Sequence, residues 1–225
     1  MNKKDKIIVI ATHPDDETYG AGGSLLRFKH EGAEIYWLIM TNVHTTHGWN
    51  ETIVNRRQEE IKNLAEAYPF DGVFNLNFPT TKLDELTSGT IISAISEVFK
   101  TVKPTHVILP FYGDPHSDHR IAFDCAFACT KSFRYPFIKN IWMMEVLSET
   151  DFGVAVSQNA FLPNIFVDIT DNLDAKIENL KIFESELGEH PFPRSAANIK
   201  ALATMRGAQA GCVYAEAFMN LKTIL

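Results

Sequence analysis

Two short segments of this 225-residue sequence concentrate side chains that bind metal ions and move protons. Residues 12–17 read THPDDE, and residues 114–119 read DPHSDH. Together they contain three histidines and five acidic residues. Imidazole nitrogens and carboxylate oxygens are ligands that Zn²⁺ prefers, and a catalytic zinc keeps three protein ligands with one position open for water. The two segments therefore predict a metal site that activates water.

Each of these residues, taken alone, has a simpler explanation. An aspartate at a strand–helix junction, such as Asp15 or Asp16, is usually a helix N-cap. His116 alone would be typical of a surface loop. Two helix caps do not need two flanking histidine clusters, however, so the combination favours a metal site.

The chain around these segments alternates short apolar runs with helical patterns. The predicted strands cover residues 6–11, 34–41, 72–76, 106–111 and 140–146, and the predicted helices cover residues 22–30, 51–68, 90–102 and 119–132. This alternation predicts an α/β protein, a Rossmann-like three-layer α/β/α sandwich with a mostly parallel sheet. Ligands of such sheets bind beyond the carboxyl ends of the strands. Both polar segments follow predicted strands, so we expect them at the same edge of the sheet.

We found no linker or internal repeat, which predicts one domain over residues 1–225. The Rossmann-like core is expected in residues 1–150 and a C-terminal α/β extension in residues 151–225. Within the extension, residues 165–169 are predicted as a strand, residues 171–187 as a helix and residues 195–219 as one or two helical pieces.

Composition narrows the classes of partner. The net charge is −7 and no basic stripe is present, which argues against a nucleic-acid partner. No apolar run approaches the roughly 20 residues of a membrane helix, and the apolar segment after the basic start is too short for a signal peptide. Three cysteines favour a reducing cytoplasm over a disulfide framework, with Cys125 and Cys129 expected to be buried rather than bound to metal. Association of identical chains stays open.

The motifs also resemble a known family. Residues 13–17 (HPDDE), residues 20–23 (GAGG) and residues 116–119 (HSDH) are similar to those of the PIG-L/LmbE-like N-deacetylases. The resemblance covers nearly the whole chain, with weaker matches at residues 57–60, 206–207 and 214–218. It implies a zinc hydrolase that removes the acetyl group from an N-acetylated amino sugar, a small-molecule conjugate of the N-acetylglucosamine type.

The resemblance also implies individual roles. It assigns the zinc to three ligands: His13, Asp16 and His119. It makes Asp15 the general base and places a protonated His116 beside the substrate carbonyl, with Asp118 as its orienting partner. The chemistry agrees, because a carboxylate can accept a proton from water and a cationic imidazole can stabilise an oxyanion. The same ligands would also accept Fe²⁺, Co²⁺ or Ni²⁺ in place of Zn²⁺.

Three further residues are predicted to contact the substrate. Arg57 is suited to a hydroxyl pair or a phosphate, and the alternative is an ion pair with Glu60 on its own helix. Residues 44–49 follow the second predicted strand at the same sheet edge. Trp49 can stack on a sugar and His47 lies beside it, although a solvated loop explains this segment equally well.

Two other functions stay open. Residues 20–23 loosely resemble a dinucleotide-binding loop, which would indicate a nucleotide-dependent Rossmann enzyme without a metal. Their spacing differs from that fingerprint, and small residues that permit close packing are the preferred explanation. The second of these alternatives is a non-catalytic carbohydrate-binding relic of the fold. Asp15 argues against a relic, because a binding module needs no base beside its ligands.

Overall fold

The computed structural model describes residues 5–225, so the first four residues of the basic start lie outside the described part. Its strands are β1 (Lys6–Ala11), β2 (Glu34–Asn42), β3 (Gly72–Pro79), β4 (His106–Leu109), β5 (Asn140–Met144), β6 (Ile165–Asp168) and β7 (Ala215–Thr223). Its α-helices are α1 (Asp16–His30), α2 (Glu51–Ala67), α3 (Ser88–Val102), α4 (Ser117–Ala128), α5 (Leu173–Leu180) and α6 (Ala196–Ala210).

All the described strands join one sheet in the order β3-β2-β1-β4-β5-β7-β6. The strands from β1 to β5 are parallel, and β7 runs antiparallel to both β5 and β6. The prediction of a mostly parallel α/β sheet is therefore confirmed. The chain winds outward from β1 through β2 and β3 on one side and resumes with β4 on the other side. This reversal creates a crevice at the carboxyl ends of β1 and β4.

Both faces of the sheet are buried, which explains why the central strand is continuously apolar. Along β1, Ile7 and Val9 face the core layer built with α1, α2, α5 and α6. Ile8 and Ile10 face the opposite layer, built with α3 and α4. Cys125 and Cys129 lie in that second layer, so their predicted burial is confirmed. Within residues 5–225, no helix is long and apolar enough to cross a membrane.

The structure corrects three predictions about secondary structure. The helix predicted over residues 171–187 is shorter, because α5 covers only Leu173–Leu180 and a separate 3-10 helix, Glu184–Glu186, follows it. Helix α1 begins at Asp16, so residues 20–23 are helical and not a loop. The predicted helical pieces over residues 195–219 end with Ala210, and residues 215–219 belong to β7 instead. The AEAFMNLK sequence of β7 favours a helix by local propensity, but pairing with β5 and β6 makes it a strand and buries residues 215–218. Tertiary contacts therefore override propensity here.

The glycines of α1 bring the helix close to the core. A Cβ atom added at Gly20 would lie 2.7 Å from Sδ of Met144, and one added at Gly23 would lie 2.8 Å from Cβ of Ile169. This supports packing as the explanation of the glycine segment. It does not favour a phosphate-binding loop, since these residues lie inside the helix and are buried.

We expect Gly23→Ala to lower the free energy of unfolding by about 1–3 kcal/mol, because the new methyl group meets the rigid root of the Ile169 side chain. Urea unfolding measures this loss. The matched control is Gly89→Ala in α3, where the nearest atom would be 3.9 Å away, and its stability should be unchanged or slightly higher. Normal stability of Gly23→Ala would contradict the packing explanation.

Candidate active site

The two polar segments meet at the carboxyl ends of β1 and β4, as the sequence predicts. Residues 12–15 connect β1 to α1, and residues 110–116 connect β4 to α4. Asp16 and His119 lie in the first turns of α1 and α4, respectively. Asp15 occupies the N-cap position of α1 but makes no side-chain capping hydrogen bond. The simpler explanation of Asp15 as a helix cap is therefore wrong.

His13, Asp16 and His119 form a compact cluster of metal-ligating groups. One ligand atom from each lies within 4.8 Å of the others. Oδ2 of Asp16 is 3.3 Å from Nε2 of His119 and 3.8 Å from Nδ1 of His13. Within residues 5–225, Oδ1 of Asp16 and Nε2 of His119 are buried without a hydrogen-bond partner. Because unpaired buried polar atoms are costly, this donor set fits a metal ion.

A second group that meets the same geometric condition shares His13 and adds His116 and Asp118. The Asp118 carboxylate is already occupied, because it accepts hydrogen bonds from the backbone N–H groups of Thr81 (2.6 Å) and Leu83 (3.1 Å). These bonds, together with His13, hold the pKa of Asp118 below its usual value, although burial alone would raise it. We therefore favour the cluster that contains Asp16 as the candidate metal centre.

Asp118 has a different partner from the one expected. Its Oδ2 atom lies 3.3 Å from Nε2 of His13 and not in a hydrogen bond to the imidazole of His116. Since a carboxylate only accepts, Nε2–H of His13 donates this bond and Nδ1 is left facing Asp16. The carboxylate of Asp118 thus orients His13, and the hydrogen bond from Asp118 to His116 comes from its backbone N–H and not from the expected carboxylate.

Asp114 plays the corresponding part for His119. Nδ1–H of His119 donates to Oδ2 of Asp114 at 2.8 Å, and the Thr150 hydroxyl donates to Oδ1 of Asp114 at 2.8 Å. Such a carboxylate fixes the ring and directs the other nitrogen at a metal. Asp114 begins the second polar segment, residues 114–119, but the sequence predicted no role for it.

The acidic and basic groups of the cluster shift one another's pKa values in opposite directions. Burial alone would raise the pKa of Asp16, but His119 and His13 hold it well below its usual range. Burial alone would lower the pKa of His119, but the carboxylates of Asp16 and Asp114 raise it well above its usual value. A carboxylate and an imidazolium thus face one another, and a metal cation would compete with the imidazolium proton.

Asp15 is buried beside this cluster, with 2% of its surface exposed. Burial raises the pKa of Asp15 to about 7, even though the guanidinium of Arg194, 3.2 Å away, acts in the opposite direction. Its backbone has φ 157° and ψ −24°, a conformation that costs strain energy in a residue with a side chain. A carboxylate with a pKa near neutral pH is suited to general base catalysis.

The surroundings of His116 favour a neutral imidazole over the protonated one that was expected. Burial and the neighbouring His13 and His119 lower the pKa of His116 to about 4. Its Nδ1 atom accepts a hydrogen bond from the backbone N–H of Asp118 at 3.1 Å, which caps α4. The proton of the neutral ring therefore resides on Nε2. The correction matters for mechanism, because His116 can donate a hydrogen bond without carrying a positive charge.

A cleft of about 340 Å³ opens above His13 and Asp15, within the usual size range of small-molecule sites. Trp49 and Arg57 line it, and Trp49 is 37% exposed. His47 does not line the cleft but lies against His44 and Thr46. Arg57 forms the predicted ion pair with Glu60 (2.8 Å) and a further one with Glu186 (2.6 Å).

Four charged residues that line the cleft were not predicted from the sequence: Arg56, Glu149, Glu186 and Arg194. Arg56 lies on α2, and the other three lie in the connections that follow β5 and α5. The one signal for Arg194 in the sequence is that it ends the polar, proline-containing segment 189–194 (EHPFPR).

Fold and site together define an α/β protein with a candidate metal centre where its sheet reverses winding direction. A family model described as PIG-L: GlcNAc-PI de-N-acetylase matches residues 8–130, more than half of the sequence, and the chain belongs to this family. The resemblance noted in the sequence is thereby confirmed. The matched residues include both polar segments.

Individual proteins are similar to this chain over nearly its whole length. Diacetylchitobiose deacetylase of Thermococcus kodakarensis is 26% identical over 229 residues, which span 96% of this chain and 83% of the relative. N,N′-diacetylchitobiose deacetylase from Pyrococcus horikoshii has a similar structure (TM-score 0.74, 20% identity, 97% of this chain and 84% of that one). So has GalB, the 4-carboxy-2-hydroxymuconate hydratase of Pseudomonas putida KT2440 (TM-score 0.76, 16% identity, 98% of each chain). Since a deacetylase and a hydratase share this fold, the fold alone does not define the reaction.

Proposed function

We propose that this chain is a metal-dependent N-deacetylase that removes the acetyl group from an N-acetylated amino sugar, such as an N-acetylglucosamine conjugate. One observation carries the proposal: a buried His13/Asp16/His119 cluster stands beside the carboxylate of Asp15 at the base of a cleft. Family membership and the diacetylchitobiose deacetylase relative support the same reaction.

Zn²⁺ is the ion we propose for His13, Asp16 and His119, with Fe²⁺, Co²⁺ or Ni²⁺ as substitutes that the same nitrogen and oxygen ligands accept. When bound, such an ion lowers the pKa of water and polarises the amide carbonyl. Asp114 and Asp118 orient the two histidines for this role through the hydrogen bonds described above.

The remaining steps belong to the protein's own side chains. Asp15 takes a proton from the attacking water as the water oxygen bonds to the carbonyl carbon. Nε2–H of His116 donates a hydrogen bond to the carbonyl oxygen as negative charge develops there. The C–N bond then breaks, and Asp15 returns its proton to the departing nitrogen. The products are acetate and a free amine.

The walls of the cleft suit a sugar. The exposed ring of Trp49 offers an aromatic face for the apolar side of a pyranose. Arg57 is held between Glu60 and Glu186, so its charge is balanced and its remaining N–H groups can bind hydroxyl groups. Trp49 and Arg57 are therefore our proposed substrate contacts.

The alternative functions receive less support. The glycines of residues 20–23, which loosely resemble a nucleotide-binding loop, lie inside α1, where Gly20 packs against Met144 and Gly23 against Ile169. A sugar-binding relic would gain nothing from a buried, strained Asp15. The cytoplasmic location, the organisation as one domain and self-association stay predictions.

A substrate panel tests the proposal. Purified protein supplied with Zn²⁺ should release acetate and a primary amine in equal amounts from N-acetylglucosamine conjugates and from N,N′-diacetylchitobiose. N-acetylglycine, which lacks a sugar, and an O-acetylated glucose, which lacks the amide, are the controls and should react far more slowly. Absence of acetate release from every N-acetylated sugar would contradict the proposal.

We expect His116→Ala to lower kcat by about 10²–10³-fold, because one oxyanion donor is lost. KM should change much less, since this interaction develops in the transition state. Steady-state kinetics of acetate release measures both constants, and metal content should be unchanged. Because its surroundings lower the pKa of His116 to about 4, loss of this imidazole should not shift the basic limb of the pH profile of kcat/KM. A near-normal kcat would show that His116 only caps α4.

A further inference from the structure

The connection between α5 and α6 contributes a guanidinium to the base of the cleft. Arg194 lies 179 residues from Asp15 in sequence, yet its Nη1 donates to Oδ2 of Asp15 at 3.2 Å. The same Nη1 donates to Oε2 of Glu186 at 3.2 Å, and Nε donates to the hydroxyl of Ser148 at 2.6 Å. The guanidinium also lies over the ring of Tyr19, 5.2 Å from its centroid. These contacts fix the planar group in one orientation.

Arg194 is well placed to orient the Asp15 side chain. Within residues 5–225, Arg194 is the only side chain that hydrogen-bonds to the Asp15 carboxylate. Asp15 is almost completely buried and makes no capping bond, so no solvent shell or helix end orients it instead. A buried carboxylate requires such a partner, because an unpaired buried charge is costly.

Glu186 links this arginine to the opposite wall of the cleft. One oxygen of Glu186 accepts from Arg194, and the other accepts from Nη2 of Arg57 at 2.6 Å. Arg57 in turn pairs with Glu60 on α2. Charges of alternating sign therefore run without interruption from α2 to the carboxylate of Asp15.

We propose that Arg194 is a positioning residue for the deacetylation reaction, which holds the Asp15 carboxylate in the orientation needed to take the proton from water. Glu186 holds Arg194 in turn and couples its position to Arg57. This inference rests on the proposed function, and it assigns a role to a segment outside both polar motifs. A residue that acts through Asp15 affects kcat, whereas a residue that only binds the sugar affects KM.

The test uses the metal-loaded full chain and one substrate from the panel that wild-type protein deacetylates. We expect Arg194→Ala to lower kcat by about 10²-fold, since small displacements of a catalytic group have effects of this size. KM and metal content should stay close to the wild-type values. Glu186→Gln and Arg194→Lys should show smaller losses of kcat in the same direction.

Chemical rescue separates positioning from general structural damage. Guanidinium chloride, well below denaturing concentrations, should restore part of the kcat of Arg194→Ala, whereas urea, which has the same shape but no charge, should not. The matched control is Arg206→Lys, because the Arg206 side chain is also largely buried (10% exposed, against 16% for Arg194) and pairs with Glu145 (3.0 Å) away from the cleft. Its kcat should be unchanged.

The outcomes distinguish the two proposals. If wild-type protein releases acetate and the Arg194 variants keep their kcat, or change only KM, the positioning role is wrong and the proposed function survives. If wild-type protein releases no acetate from any N-acetylated sugar, both are wrong. If Arg194→Ala does not fold, Arg194→Lys carries the test, and a loss of kcat equal to that of Arg206→Lys would overturn the inference.

Discussion

Asp15→Asn should keep its metal and lose most of its turnover. An asparagine amide has nearly the shape of the carboxylate but cannot accept a proton from water. General base catalysis contributes about 10²–10⁴-fold to rate, so kcat should fall by that factor. The proposed metal ligands are other residues, so metal content should stay at the wild-type level. Elemental analysis and acetate release, measured on one preparation, check both parts.

Asp16→Asn is the matched control, because the two aspartates are adjacent and both buried. It removes the carboxylate that faces both histidines of the cluster, and metal content should fall sharply. If instead Asp15→Asn lost the metal and Asp16→Asn kept it, the roles of the two residues would be exchanged.

The pH dependence of wild-type activity gives a second prediction for Asp15, with a definite direction. Burial raises the pKa of Asp15 to about 7, so the carboxyl gains a proton, and loses its function as a base, as the pH falls through that value. A cation in the neighbouring cluster favours the charged form and moves the midpoint lower. The acidic limb of kcat/KM should therefore have its midpoint at or below about 7. An activity that rises as the pH falls through this range would contradict a carboxylate base.

His119→Ala is expected to abolish metal binding. The substitution leaves two of the three proposed ligands, which is too few for a stable tetrahedral site. Asp114→Asn should have a graded effect, weakening metal affinity by about 10–100-fold, because it alters the hydrogen bond that orients His119. Metal titrations of the stripped variants measure both affinities.

His30→Ala is the control for the loss of a histidine, because His30 lies exposed at the end of α1, away from the cluster. Its metal affinity should equal that of the wild type. Thermal unfolding of each variant separates loss of the ligand from loss of the fold. Full metal occupancy in folded His119→Ala would overturn the ligand assignment.

The arrangement of the central strands and of both polar segments followed from sequence, since parallel strands carry their carboxyl ends to the same edge of a sheet. The hydrogen-bond partners of the Asp118 carboxylate could not be predicted from the sequence. The first turn of α4 directs this carboxylate at the backbone of Thr81 and Leu83, a contact between segments that no local pattern encodes. Nor does any local pattern show that burial beside two other histidines lowers the pKa of His116.

The C-terminal third of the chain was the least predictable part. Strand β7 consists largely of residues with helical propensity, and only its pairing in the sheet makes it a strand. Arg194 lies in an irregular segment without periodicity, so its position beside Asp15 depends on long-range contacts. Sequence patterns describe the regular elements well, but they do not place a side chain that an irregular connection carries to the site.

The most direct test of the account is acetate release by wild-type protein before and after removal of its metal. Protein stripped with a chelator should release no acetate from an N-acetylglucosamine conjugate, and added Zn²⁺ should restore release with an equal amount of free amine. Undiminished release by protein shown to be free of metal would contradict the account, as would the absence of release with every divalent ion supplied.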